Sequence, residues 1–248
     1  MCLAVIDYQP DRTVPVRIVT NRDEFRDRPA RDMHLWPDQP IVAGQDLKAG
    51  GTWMGVTTDR RFALLTNIRP GYVGVQGERS RGDLVVSFLA HQDTIETFHA
   101  NIRAEIQNYA GFNLLLGDAR RVFWFSSDHP DGQWLAPGIH ALSNDALNTP
   151  WPKTELAREQ MVQQGQQVDQ GSTQHTILGS TQTAPIASLP NTGIPPDWEA
   201  RLSAQTIIGE GYGTRTRTQL ALSHDQALLI ETQLNTAGKS EREVRFTL

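Results

Sequence analysis

The sequence predicts an α+β fold in which antiparallel sheets stack face to face with helices outside them. Three observations lead there. Short apolar runs recur along the chain and are joined by polar turns of a few residues, as hairpins require. Amphipathic helical stretches are few, and strands dominate the pattern, which favours packed sheets with helices on the outside. The runs Phe112-Asn113-Leu114-Leu115-Leu116 and Val122-Phe123-Trp124-Phe125 are almost continuously apolar, so they read as strands covered on both faces. A chain of 248 residues, 38% hydrophobic and 21% charged, has the size and composition of one domain spanning 1–248.

Taken in order, Cys2-Leu3-Ala4-Val5-Ile6 is a first buried strand. The turn Gln9-Pro10-Asp11-Arg12 joins it to a partner over residues 14–20, and antiparallel pairing then returns Asn21-Arg22-Asp23-Glu24 to the start of the chain. Residues 25–42 hold Arg26, Arg28, Pro29, Arg31, Pro37 and Pro40 without helical or strand period, and read as an ordered loop. Gly50-Gly51 precedes a hairpin built from residues 53–56 and 62–67. The two glycines serve turn geometry or a bulge, or else a close approach of backbone to substrate; their surroundings lack the spacing and Lys-Ser ending of a phosphate loop.

Residues 83–91 read as a short helix, and a stronger one begins near Thr94, where Ile95, Phe98, Ile102 and Ile106 recur at three- and four-residue spacing. His91 and His99 fall on these helices with no second metal-type ligand at a repeating interval, so they read as surface or interfacial residues. Residues 138–144 form another strand, and Pro150-Trp151-Pro152 leads into a helix over 153–164, proline being tolerated at a helix start. The stretch 165–196 is polar with four prolines, and reads as a long surface excursion or a lid. Residues 216–222, 227–232 and 244–248 complete the strands.

Charge and composition narrow the function. The net charge of −5 and pI of about 5.8, without any Lys/Arg block, give no electrostatic footprint for nucleic acid or an anionic membrane, and favour a small-molecule partner. No apolar run approaches the ~18 residues of a membrane span, and the first residues lack the basic region of a signal peptide. A single cysteine forms no intrachain disulfide, in keeping with a cytoplasmic location.

That cysteine is Cys2. Were Met1 removed, its thiol would lie within a hydrogen bond of its own α-amine, whose pKa of ~8 suits it to accept a proton near neutrality. A lone cysteine in an apolar run also serves simply to fill a core.

Met-Cys at the start followed by Asn21-Arg22-Asp23-Glu24 resembles the NRDE family, also called the transport and Golgi organisation family. The similarity continues through Gly50-Gly51-Thr52-Trp53-Met54-Gly55, Thr66-Asn67-Ile68-Arg69, Ser80-Arg81-Gly82, Phe112-Asn113, His140-Ala141-Leu142-Ser143-Asn144, Pro150-Trp151-Pro152-Lys153 and Gly211-Tyr212-Gly213-Thr214-Arg215. Gln45 stands where the family more often has arginine. The resemblance implies an N-terminal-nucleophile hydrolase-like fold, a four-layer αββα sandwich of two mainly antiparallel sheets.

It also implies a site. Cys2 is the expected nucleophile, Arg22 favours its thiolate, and Asp23 orients the ammonium. Asn67 and Asn144, at strand ends, are candidates for an oxyanion hole, and Arg215 resembles a later arginine of such sites. A structural ion-pair network would account for the same charges. The expected function is cleavage of a non-peptide amide through a thioester, with no cofactor required. The alternative implied by the family is a non-catalytic carrier of haem or an acyl lipid.

Overall fold

The computed structural model describes residues 2–69, 77–174 and 176–248. Its first strands are β1 (Cys2–Tyr8), β2 (Val16–Phe25), β3 (Ala30–Leu35), β4 (Ile41–Asp46), β5 (Met54–Thr57) and β6 (Phe62–Asn67). Helices α1 (Gly82–Ala90) and α2 (Ile95–Ala104) follow, then β7 (Phe112–Gly117), β8 (Val122–Ser126), β9 (Gln133–Trp134) and β10 (Gly138–Leu142). Helices α3 (Pro152–Gln164), α4 (Gln166–Asp169) and α5 (Pro196–Leu202) lead to β11 (Tyr212–Leu222), β12 (Ala227–Leu234) and β13 (Ser240–Thr247).

The strands form two sheets in the orders β10-β1-β2-β11-β12-β13 and β3-β4-β5-β6-β7-β8-β9, with every pairing antiparallel. Period-two alternation explains how they stack. Ala4, Ile6, Val16, Ile18, Leu220 and Leu229 turn one face of the first sheet onto Val42, Val56, Phe62, Leu64 and Trp124 of the second. The opposite residues face outward: Leu3, Val5 and Val19 meet Ala157 and Met161 of α3. On the far side of the second sheet, Leu65, Leu114 and Phe125 meet Leu84, Phe88 and Phe98 of α1 and α2. The result is the αββα sandwich expected from the sequence. Among the described residues no helix is long and apolar enough to cross a membrane.

Local sequence accounts for the helix starts. Thr94 caps α2 by accepting a hydrogen bond from the Thr97 amide at 3.1 Å, and Pro152 opens α3, where its missing N–H costs nothing. The glycine pair before β5 serves the backbone. Gly50 adopts φ +81°, and a Cβ on Gly51 would lie 2.6 Å from the Gly82 carbonyl carbon, so this pair lets two chain segments touch.

Three expectations need correction. Residues 25–42 are not a loop but contain β3 and the start of β4; a register shift between Arg31 and His34 breaks the alternation that would have revealed the strand. Residues 165–196 are not only a surface excursion, because Ile177 and Leu178 are fully buried against the outer face of the first sheet. The quartet Asn21-Arg22-Asp23-Glu24 does not follow β2 but lies inside it, since β11 pairs with β2 as far as Tyr212 opposite Phe25.

Candidate active site

Strand register assembles the site. Cys2 on β1 stands opposite Arg22 on β2, Arg22 opposite Thr216 on β11, and Thr216 opposite Gln233 on β12. By alternation these four share the inter-sheet face with Ala4 and Ile18, at the end where the apolar core gives way to polar residues. Asp23, the next residue along, turns to the outer face. Its Oδ1 accepts a hydrogen bond from Thr214 Oγ1 at 2.6 Å. Arg22 and Asp23 are both buried, on opposite sides of one strand.

Arg22 is held firmly. Its Nη2 donates to Asp46 Oδ2 at 3.0 Å, and its guanidinium lies 4.3 Å from the Trp53 ring centroid. Gly44 is what admits that ring, because a Cβ there would approach it to 2.5 Å. Arg22 Nη1 is buried without a hydrogen-bond partner among the described residues. Arg215 sits at the bulge of β11, between Thr214 and Thr216, and donates from Nη1 to the carbonyls of Phe25 and Arg28. Arg22 and Arg215 line one cavity of about 20 Å³, together with Trp53, Thr216 and Gln233. Cys2, Asp23 and Asn144 are not part of that lining.

Asn67 and Asn144 are joined directly. Asn144 Nδ2 donates to the Asn67 carbonyl at 2.9 Å, and Ser143 ties this segment to β1 by donating from Oγ to the Cys2 carbonyl at 3.5 Å. Arg69 fixes the segment further, its amide donating to the Asn144 carbonyl at 2.8 Å and its Nη1 to Glu199 Oε2 at 2.7 Å. Lys153 Nζ donates to the Leu202 carbonyl at 3.0 Å, with its amine 5.5 Å from the Trp151 ring centroid.

Electrostatics couples these groups. Burial raises the Cys2 thiol pKa; Asp23 adds to the rise and Arg22 opposes it, so desolvation outweighs the thiolate stabilisation expected from Arg22. Burial also raises Asp23, against the Thr214 hydrogen bond and the cations Lys153 and Arg69. Burial and Arg69 bring Lys153 down to about 7, with Asp23 and Glu199 resisting. Arg81 is lowered by burial and supported by the Cys2 sulfur.

Sequence reasoning misses Arg69, Arg81, Lys153 and Glu199 as members of this cluster. The first three lie within segments that resemble the family, which is the signal that could have found them; Glu199, in a short helix after a proline-rich stretch, offers none. Asn21 plays a structural part, with its Nδ2 donating to the carbonyls of Leu178 at 3.0 Å and Gln205 at 2.8 Å. Leu178 has φ +59°, and its carbonyl also accepts from Thr206 Oγ1 at 2.7 Å and Arg217 Nη2 at 2.9 Å, so that several buried groups together hold an unfavourable backbone conformation. Met1 lies outside the described residues.

Comparison with known proteins identifies the lineage. Among solved structures the chain is similar to two variants of the conjugated bile acid hydrolase of Clostridium perfringens, with TM-scores of 0.46 and 0.47 at 8% and 9% identity, each match covering 99% of this chain and 92% of the other. It is also similar to the N-acylethanolamine-hydrolyzing acid amidase ortholog of Caenorhabditis elegans, with a TM-score of 0.39 at 11% identity over 67% of this chain and 79% of that one. The Transport and Golgi organization protein 2 homologs of Homo sapiens and Bos taurus are 28% and 27% identical, each over 91% of this chain and 90% of the relative. The model of the Transport and Golgi organisation 2 family matches residues 1–236, and the chain belongs to that family.

Proposed function

We propose that this protein is an N-terminal-cysteine amidohydrolase acting on a small, non-peptide amide. The observation that carries the reading is the register of Cys2 against Arg22 within a buried charged cluster that is incompletely paired. Arg22 Nη1 and Arg69 Nε are left without hydrogen-bond partners among the described residues, which leaves two cationic donors in the cluster free for a bound group.

In this scheme removal of Met1 exposes the Cys2 α-amine, which takes the thiol proton as Sγ attacks the amide carbonyl. Arg22 supports the developing thiolate and Asp23 the ammonium. The carbonyl oxygen becomes an oxyanion met by the second N–H of Asn144 Nδ2, whose first is spent on Asn67, with Asn67 completing the hole. Collapse breaks the carbon–nitrogen bond, and the ammonium returns its proton to the departing amine. Water then attacks the thioester and gives a carboxylic acid and the free thiol. Arg215 acts on the substrate side, beside Arg22. The lone thiol suits a reducing compartment such as the cytoplasm.

The cavity beside Arg22, of about 20 Å³, is lined by Arg22, Arg31, Asp32 and Arg215 together with Ala30, Trp53, Thr216 and Gln233, a mixed and largely polar surface that supports a small polar substrate over the carrier reading. The test is amine release from a panel of acyl amides by the Met1-processed protein. Release that disappears in Cys2→Ala supports the proposal; no release from any amide, or equal release by Cys2→Ala, removes it.

A further inference from the structure

We propose that the cavity between Arg22, Arg215, Thr216 and Gln233 is a carboxylate subsite, so that the amide cleaved at Cys2 carries a carboxylate a few bonds from its carbonyl. The identity of the substrate rests on the amidohydrolase reading; the anion site does not.

Two of the residues that line this cavity each carry a polar atom without a partner. Arg22 Nη1 and Thr216 Oγ1 are buried without a hydrogen-bond partner among the described residues, on side chains whose residues are each only 5% exposed. Both residues line the cavity, and they are direct register neighbours on β2 and β11. A buried donor left open in this way normally has a water or a ligand. A guanidinium N–H and a hydroxyl side by side are two donors for one acceptor group.

Charge decides which acceptor. Arg22, Arg31 and Arg215 line the cavity against one carboxylate, Asp32, which is engaged by Arg242 at 2.8 Å. Behind Arg22, Asp46 is shared with Arg28, whose Nε donates to the same Oδ2 at 2.6 Å, and Glu24 stands 3.9 Å from Arg22 and 3.8 Å from Arg28, so Asp46 and Glu24 balance Arg22 and Arg28. Arg31 and Arg215 then remain against Asp32, and Arg22 and Arg215 repel each other across the cavity. An anion between them relieves that repulsion and fills the open donors, as a neutral group cannot. A volume of about 20 Å³ accepts the head of a carboxylate and leaves the remainder of the ligand outside.

Position connects the subsite to the nucleophile. Cys2, Arg22 and Thr216 follow one another across three strands, and neighbouring strands are ~5 Å apart, so a carboxylate between Arg22 and Thr216 lies within ~10 Å of Cys2 along the inter-sheet face. A short spacer joins the two points.

The experiment separates the subsite from turnover by using the full-length Cys2→Ala protein, which has no nucleophile, and measuring calorimetric affinity for N-acetylglycine, its neutral analogue N-acetylglycinamide, and sodium acetate. N-acetylglycine should bind at least ten-fold more tightly than the neutral amide, and acetate should compete. Thr216→Val in that background should weaken N-acetylglycine at least five-fold without changing the neutral amide, and Thr216→Ser should restore it. Equal affinity for acid and amide overturns the proposal, as does a Thr216→Val protein that binds the acid unchanged. If Thr216→Val fails to fold, the comparison of acid with amide and the Thr216→Ser protein still decide. Anion binding with no amine release by the native protein would retain the subsite and remove the hydrolase.

Discussion

Replacing Glu231 by glutamine should stabilise the protein above neutral pH and leave it unchanged in acid. Glu231 is 1% exposed on β12, with Oε1 accepting from the Met33 amide at 2.7 Å and from Gln233 Nε2 at 2.9 Å. Burial raises its carboxyl to about 7 from the ordinary 4.5, with Asp32 adding to the rise. The fold therefore binds the Glu231 proton more tightly than the open chain does. The stabilisation from the neutral carboxyl is complete below about pH 4.5 and is lost as pH rises through about 7. At ~1.4 kcal/mol per pH unit, that interval corresponds to a cost of ~3 kcal/mol in alkali. Glutamine keeps the accepting oxygen and stays neutral. Urea unfolding followed by tryptophan fluorescence at pH 5, 6, 7 and 8 should show the variant's gain over the native protein rising from ~1 to ~3 kcal/mol, or ~6–12 °C in Tm at pH 8. A difference independent of pH, or a variant less stable at pH 8, would refute the reasoning.

Other substitutions test separate parts of the structure. Arg17 donates from Nε and Nη2 to the two Asp169 oxygens, each at 2.5 Å, and from Nη1 to Asp7 Oδ2 at 2.9 Å, so Arg17→Met should cost ~3 kcal/mol in urea unfolding by leaving the buried Asp7 only its 3.5 Å contact with the exposed Arg12. Asn21→Ala removes three hydrogen bonds, the two its Nδ2 donates and the one its Oδ1 accepts from Arg217 Nε at 3.2 Å, and should cost ~3 kcal/mol in thermal unfolding while leaving the rate of Cys2 alkylation unchanged. Cys2→Ser should unfold within ~1 kcal/mol of the native protein, because Cys2 ends its strand opposite the polar Arg22 and the exchange changes one atom; a larger loss by calorimetry would return Cys2 to the role of a core filler. Since burial raises the Cys2 thiol, its alkylation in the folded protein should accelerate from pH 7 to pH 9.5 without a plateau near neutrality.

How much was legible in advance depended on whether local pattern or tertiary packing made the decision. The runs around Val5, Leu115 and Phe123 announced strands because both of their faces are covered, which makes apolarity continuous. The approach of Arg22 to Cys2 followed from a short hairpin, whereas the separation of Arg22 and Asp23 onto opposite faces appears only once β2 is seen to run through both. β3 was hidden because it is an exposed edge strand interrupted by a bulge. Ile177 and Leu178 were hidden by polar neighbours that stay in solvent while those two are buried. Lys153 and Glu199 looked like ordinary helix-surface charges; only the docking of α3 and α5 beside Arg69 buries them. The open donors of Arg22 and Thr216 have no sequence signature, since a missing partner is a property of three strands at once.

The central claim is that Cys2 is a processed, N-terminal nucleophile, and intact-protein mass spectrometry with peptide mapping of native material after exposure to a thiol-directed acylating probe tests it most directly. A processed nucleophile predicts a chain lacking Met1 that gains one acyl group, mapped to Cys2, while still folded. A chain that retains Met1, or a Cys2 that acquires the label only after unfolding, would contradict it.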